Sequence, residues 1–101
     1  MTPENWVHPT PEFYLAVDLL GEALGDAADA ILRDLACSLT ALESYNWDGS
    51  LPIAPYGIGG DSFIYAFHRE YAFTFRRHTE RDTAKNPVRV RMYLKLLLRR
   101  Y

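Results

Sequence analysis

The sequence contains one cysteine, no long apolar run and little basic charge in its first half. Cys37 has no second cysteine to pair with, which excludes an internal disulfide and favours a reducing compartment, the cytoplasm. No apolar run approaches the roughly 20 residues that span a bilayer, and no basic segment precedes an apolar run, so we expect neither membrane insertion nor secretion. The histidines and acidic residues lack the close spacing of metal ligands, so we expect no metal and no other cofactor.

The length and composition of the chain fit one folded unit. Its 101 residues are 49% apolar and 14% aromatic, which is enough hydrophobic material for one core. We therefore expect residues 1–101 to form a single domain.

Charge is divided unevenly along the chain. Residues 1–50 contain nine acidic residues and one basic residue, Arg33, which gives −8, whereas residues 51–101 contain four acidic and ten basic residues, which gives +6. Such an asymmetry indicates a surface for a polyanion or for an oppositely charged partner. The alternative is the ordinary solvated charge of a soluble domain.

The acidic half has the pattern of two helices. Thr10 can cap a helix with Pro11 in its first turn, apolar residues recur at intervals of three and four, and Gly25 can end the helix, which predicts a helix over residues 11–24. Asp26 can cap a second helix, whose apolar stripe would comprise Ala27, Ile31, Leu35, Leu39 and Leu42. With almost no loop between them, the helices are expected to form an αα-hairpin with Trp6 and Trp47 packed at its ends.

The basic half has the pattern of strands. Residues 44–60 are rich in Pro, Gly, Asn, Asp and Ser and predict a connector with one short strand. Odd-numbered aromatic residues on either side of residues 68–70 predict a β-hairpin, which a polar loop over residues 79–87 follows. The fold class is therefore α+β, an N-terminal αα-hairpin packed on a C-terminal antiparallel β-sheet of three to four strands.

Residues 88–96 show the most regular pattern in the sequence, because apolar and polar residues alternate with a period of two. Such alternation predicts a strand with one face in the core and one basic face, whereas the conformation of residues 97–101 stays open between strand and short helix. The predicted core face comprises Val88, Val90, Met92, Leu94 and Leu96. The predicted basic face comprises Arg89, Arg91, Tyr93 and Lys95.

The basic face is the leading candidate for function, because Lys and Arg neutralise phosphates and a Tyr among them can stack on a base. The alternative is that basic residues keep an exposed sheet face soluble and unpaired. Further basic residues that can extend the face are Arg76, Arg77, Arg81, Arg99 and Arg100.

Two histidines of the basic half are each followed two positions later by a glutamate. Such pairs can supply the general base and acid of a metal-independent ribonuclease. His68 and Glu70 lie in the predicted hairpin turn, where polar residues are expected in any case, whereas His78 follows two arginines and is the better candidate. Cys37 lies beside a helical core stripe and is predicted to be a buried structural thiol.

Three segments resemble the RelE/ParE superfamily of toxin–antitoxin toxins across nearly the whole chain. WVHPTPEFYLAVDLL is similar to the family's opening strand and helix, FIYAFHREYAFTF to its paired central strands, and VRVRMYLKLLLRRY to its basic final strand with a terminal Tyr. The chain departs from the family's nucleases at Ala72, which stands where they usually carry an Arg, and over residues 94–98, where many members carry His-Arg.

The resemblance implies a ribosome-dependent mRNA endonuclease or a gyrase inhibitor that an antitoxin neutralises. It implies that Arg91, Lys95, Arg99 and Tyr101 act on RNA, and with His78 the candidate catalytic residues are His78, Arg91, Lys95 and Tyr101. The expected partners are RNA or the ribosome, or DNA gyrase, together with a cognate antitoxin.

A second hypothesis describes a non-catalytic interaction or inhibitor module, such as a small phage or accessory factor. Its acidic helices and basic strands would both be partner surfaces, and complementary halves of two subunits could pair into an oligomer.

Overall fold

The computed structural model describes residues 3–99, which form two α-helices and a five-stranded mixed sheet. The strand order is β1-β5-β4-β3-β2, in which β1 runs parallel to β5 and the other neighbours are antiparallel. The elements are β1 (Glu4–Pro9), α1 (Pro11–Leu24), α2 (Asp29–Glu43), β2 (Ile53–Pro55), β3 (Ser62–Tyr65), β4 (Tyr71–Arg81) and β5 (Pro87–Arg99).

The α+β class is confirmed, but the sheet is larger than predicted and is not purely antiparallel. The difference is β1, a strand at one edge of the sheet that pairs with the last strand along the chain. The predicted β-hairpin is present as β3 and β4, and the short strand in the connector is β2. Residues 97–99 continue β5, while Arg100 and Tyr101 lie outside the described residues.

The first helix has the predicted bounds, Pro11–Leu24. Thr10 begins it, because its hydroxyl accepts a hydrogen bond from the Phe13 amide at 3.4 Å and donates one to the Leu94 carbonyl at 2.6 Å. Gly25, with a φ of +56°, ends it and opens a short 3₁₀ turn over Gly25–Ala28. The prediction that Asp26 caps the second helix is wrong, since α2 begins after this turn with Ala28 in the cap position and no side-chain cap.

The predicted αα-hairpin is matched in part. Helical structure continues from Pro11 to Glu43 without a loop, and each helix packs on the sheet, α1 on β5 and α2 on β1. Phe13 in α1 and Leu42 in α2 belong to the same buried cluster, although a straight helix would hold them about 44 Å apart. The bend at Gly25–Ala28 therefore lets both helices cover one face of the sheet.

The core lies between the helices and this inner face of the sheet. The predicted core face of β5 is confirmed for Val90, Met92 and Leu94, which are at most 5% exposed. The prediction is wrong for Val88 and Leu96, which are 41% and 48% exposed. The buried cluster comprises Phe13, Leu35, Leu42, Tyr65, Phe73, Phe75, Val90, Met92 and Leu94.

A β-bulge explains why the alternation of β5 breaks at Leu96. Phe75 pairs with Leu94 but Phe73 pairs with Leu97, so two residues of β5 lie opposite one residue of β4. An extra residue in one strand shifts the phase of all later side chains. Leu97 therefore packs against the core in place of Leu96, and the Leu96 amide bonds the Thr74 hydroxyl at 3.1 Å.

Within residues 3–99, neither α1 nor α2 is both long enough and apolar enough to cross a bilayer.

Candidate nucleic-acid interface

The face of the sheet opposite the helices, the outer face, carries charged and aromatic side chains from three adjacent strands. Cross-strand pairs place Trp6 and His78 on either side of Arg91, and His8 and Arg76 on either side of Tyr93. Paired residues of neighbouring strands project to the same side of a sheet. The outer face thus comprises Glu4, Trp6 and His8 of β1, Arg89, Arg91, Tyr93 and Lys95 of β5, and Arg76, His78 and Glu80 of β4.

Glu80 binds two of the predicted basic residues. Its carboxylate accepts one hydrogen bond from Arg89 Nη1 at 3.1 Å and another from Arg91 Nε. The hydrogen bond from Arg91 lowers the pKa of Glu80, and the charges of both arginines add to this effect against the opposing influence of burial. The same hydrogen bond raises the pKa of Arg91. This part of the outer face is therefore less positive than the sequence of β5 indicates.

Trp6 is held in a fixed orientation on the outer face. The guanidinium carbon of Arg89 lies 3.8 Å from its ring centroid and that of Arg91 lies 4.8 Å away, while the indole Nε1 donates to Glu4 Oε2 at 3.0 Å. Guanidinium groups are attracted to the face of an indole ring. The prediction that Trp6 packs at an end of the helices is wrong, because β1 carries it to the other side of the sheet.

His8 connects Trp6 to the middle of β5. Its ring stacks on Tyr93 with centroids 5.2 Å apart and lies 6.2 Å from the ring of Trp6. Arg91 Nη1 lies 3.1 Å from His8 Nε2, and because a guanidinium can only donate, His8 Nε2 is the acceptor in this contact. Sequence reasoning missed His8 and Trp6, although Glu4, Trp6 and His8 alternate in the segment that resembles an opening strand.

A surface pocket of about 360 Å³ adjoins this aromatic row and brings together five of the predicted site residues. Arg76 forms an ion pair with Asp61 at 2.8 Å in its wall. Within residues 3–99, the side chains of His78 and Lys95 form neither a hydrogen bond nor an ion pair, so both remain available to a ligand. The lining residues are Asp61, Arg76, Arg77, His78, Tyr93 and Lys95.

Arg77 differs from its neighbour because it projects toward the inner side of the sheet. It pairs with buried Met92, and its guanidinium carbon lies 4.8 Å from the centroid of Trp47 and 4.7 Å from that of Phe63. Trp47 accordingly packs against the core. Arg77 thus lines the pocket while its charge is engaged with aromatic rings.

The remaining predicted basic residues lie toward the ends of the strands. Arg81 ends β4 and donates to the Lys85 carbonyl at 3.1 Å. Arg99 ends β5, forms an ion pair with Glu70 at 3.5 Å, and lies about 25 Å along the strand from Arg91. Arg100 and Tyr101 are outside the described residues, so the described site is centred on the middle of β4 and β5.

Neither predicted histidine–glutamate pair forms a direct contact. His68 Nδ1 lies 2.6 Å from a carboxylate oxygen of Asp34, and Glu70 pairs with Arg99. Glu80 binds Arg89 and Arg91, which leaves His78 directed to the pocket without a carboxylate partner among the described residues.

Cys37 is a surface residue of α2. The prediction that Cys37 is buried is wrong, because it is exposed on the side of α2 that faces away from Leu35 and Ile31. Among residues 3–99, no three side chains of His, Cys, Asp or Glu are arranged to hold a metal ion.

No protein-family model, no curated protein and no solved structure that was compared with the chain matches it.

Proposed function

We propose that this chain is a RelE/ParE-like toxin of the cytoplasm that binds RNA through its outer face and cleaves it in the pocket beside β4 and β5. The observation that carries the proposal is the meeting of His78, Lys95, Tyr93 and Arg76 in one pocket. The order of elements, an opening strand, a helical segment and a sheet whose last strand is basic, is also the order that the resemblance implies.

Each pocket residue has a role that its chemistry permits. Lys95 and Arg76 neutralise a phosphate, and the phenol ring of Tyr93 supports the adjacent base. His78 takes the proton of the ribose 2′-hydroxyl, whose oxygen then attacks phosphorus as the bond to the 5′-oxygen breaks. The Lys95 ammonium stabilises the charge on the phosphorane-like transition state and donates a proton to the leaving 5′-oxygen. The products are a 2′,3′-cyclic phosphate and a free 5′-hydroxyl.

The partners in this proposal follow from the same surface. Messenger RNA on the ribosome is the substrate, and a cognate antitoxin would cover the outer face or the helices that support it. If the target is DNA gyrase, the same face would bind that enzyme and the pocket would perform no chemistry.

Two measurements test the proposal on the full chain. We expect a fluorescein-labelled single-stranded RNA to bind, and messages to be cut in the presence of ribosomes with 2′,3′-cyclic phosphate ends. Lys95→Ala should weaken binding about threefold to tenfold, whereas His78→Ala should leave binding intact and slow cleavage by about 10²- to 10⁴-fold.

Arg33→Ala is the matched control, because it removes one exposed base from α2, on the opposite side of the sheet. It should change neither measurement. The proposal is refuted if the wild-type protein binds no RNA and cuts no message. Binding without cleavage would restrict the protein to a non-catalytic RNA-binding or inhibitory role.

A second candidate function, a non-catalytic interaction module, is favoured by the exposed face of α1. Leu15 and Leu19 lie one turn apart and are 59% and 54% exposed, and the acidic residues Glu12, Asp18 and Glu22 surround them. Exposed leucines among carboxylates are typical of a surface that binds a basic, amphipathic partner. Salt-sensitive oligomers in sedimentation, together with no affinity for RNA, would favour this candidate.

A further inference from the structure

We infer that Trp6, His8 and Tyr93 form a stacking platform for the bases of single-stranded RNA. The inference rests on the proposed RNA binding, and it specifies the ligand as unpaired nucleotides as opposed to a duplex or a base-free polyanion. It also extends the site to β1, a strand for which the sequence patterns predicted no function.

Trp6 is both exposed and held in place, which is the combination that a stacking platform needs. The residue is 38% exposed, although exposed tryptophans are uncommon on soluble domains. Its ring is held by Arg89 and Arg91 and by the hydrogen bond from its Nε1 to Glu4. A ring that is already oriented loses little side-chain entropy when a base stacks on it.

The three rings lead from the edge of the sheet to the pocket. Trp6 lies on edge strand β1, His8 follows at 6.2 Å, and Tyr93 is 5.2 Å farther along at the wall of the pocket. Bases of a single strand stack on the exposed faces of aromatic side chains in this type of site. His8 and Tyr93 cover each other on one side, and Arg89 and Arg91 lie against the Trp6 ring, so the bases would use the ring faces that remain open to solvent. An RNA strand that occupies the pocket can therefore continue across β5 onto β1.

The ion pairs of the outer face explain why stacking matters here. Glu80 offsets part of the charge of Arg89 and Arg91, so attraction for phosphate alone is weakened. Each guanidinium has five N–H donors, of which Glu80 accepts one from each arginine and His8 accepts one from Arg91, while the Nε–H of Arg89 is buried. The Nη donors that remain can contact the phosphate that follows a base stacked on Trp6.

The ligand must be single-stranded because the platform needs an open base face. In a duplex the neighbouring base pairs cover both faces of every internal base, whereas unpaired bases can stack on aromatic rings or on guanidinium planes. A base-free polyanion offers only charge. The three kinds of ligand therefore distinguish stacking from charge attraction.

The first measurement compares variants of the full chain by fluorescence anisotropy with a labelled oligouridylate of about eight nucleotides. Trp6→Leu keeps an apolar side chain in β1 but removes the ring, and it should weaken binding about 5- to 150-fold. Tyr14→Ala is the matched control, because it removes an aromatic side chain that is 58% exposed on α1. The control should bind as the wild type does.

The second measurement does not depend on the folding of a Trp6 variant. In Trp47→Phe, Trp6 is the sole tryptophan of the chain. Oligouridylate should quench its emission at saturation, and inorganic polyphosphate at the same phosphate concentration should not, because only a base can stack on the indole.

The outcomes separate this inference from the proposed function. If RNA binds the wild type but Trp6→Leu binds equally well and oligouridylate leaves the emission unchanged, the platform is refuted while RNA binding stands. If polyphosphate quenches as strongly as oligouridylate, the platform is also refuted. If the wild type binds no RNA, the proposed function itself fails, and the inference fails with it.

Discussion

Replacing Glu80 with Gln should make the outer face bind RNA more tightly. Glu80 is the carboxylate that accepts hydrogen bonds from Arg89 and Arg91, and Gln has nearly the same shape without the charge. The cluster of these three residues changes from a net charge of +1 to +2. We expect the released charge to be engaged by one additional phosphate of the bound RNA.

The size of the effect follows from counterion release. If Lys95, Arg76 and the net single charge of the Arg89–Arg91–Glu80 cluster each contact one phosphate, log K falls with log salt at a slope of about −2.1, and one more contact makes the slope about −2.8. Between 50 and 200 mM salt, affinity should therefore fall about 18-fold for the wild type and about 49-fold for the variant. At the lower salt concentration the variant should bind about two- to fivefold more tightly.

The assay is a salt titration of RNA binding monitored by anisotropy. Glu43→Gln is the matched control, since it makes the same change of charge at an exposed position at the end of α2. Equal slopes for Glu80→Gln and the wild type would refute the view that Glu80 masks cations that can bind RNA. A steeper slope in Glu43→Gln as well would show that net charge is the cause and not the outer face.

Two further predictions concern stability. The pKa of Glu80 is held below its ordinary value of 4.5, chiefly by the hydrogen bond from Arg91, so its stabilising contribution is present above pH 4.5 and is lost as pH falls through the lower folded value. The melting temperature of the wild type should therefore fall more steeply than that of Glu80→Gln as the pH is lowered from 5 to about 3, and parallel curves would contradict this. Thr10→Ala removes both the cap of α1 and the hydrogen bond to Leu94, so urea unfolding should show a loss of about 1–2 kcal/mol, whereas Thr10→Ser should stay close to the wild type. A loss below about 0.3 kcal/mol in Thr10→Ala would show that water replaces both bonds.

Local patterns in the sequence predicted the elements that local chemistry determines. The bounds of α1 follow from Thr10, Pro11 and Gly25, each of which acts within one turn of its own position. The β3–β4 hairpin follows from the alternation of aromatic residues on either side of a polar turn. The inward side chains of β5 follow from the same period of two as far as Leu94.

The features that escaped sequence reasoning depend on contacts between distant segments. The residue types of positions 4–9 do not predict that this segment pairs in parallel with β5. That pairing places Trp6 and His8 beside the predicted basic residues. The bulge at the end of the alternation depends on the register between β4 and β5. The spacing of Glu80 suggested a pair with His78, but β4 places Glu80 across from β5, where its carboxylate binds Arg89 and Arg91.

The parallel pairing of β1 with β5 also affects when the outer face can exist during synthesis. Thr10 and Leu94, which hydrogen-bond to each other where the two strands end, are 84 residues apart in the chain. Contacts of such long sequence separation form late, because the intervening chain must be made and ordered first. A nascent chain thus carries Trp6 and His8 long before the strand that orients them has left the ribosome. The surface proposed to act on RNA is therefore assembled only after β5 has emerged from the ribosome, which delays its activity relative to the synthesis of β1.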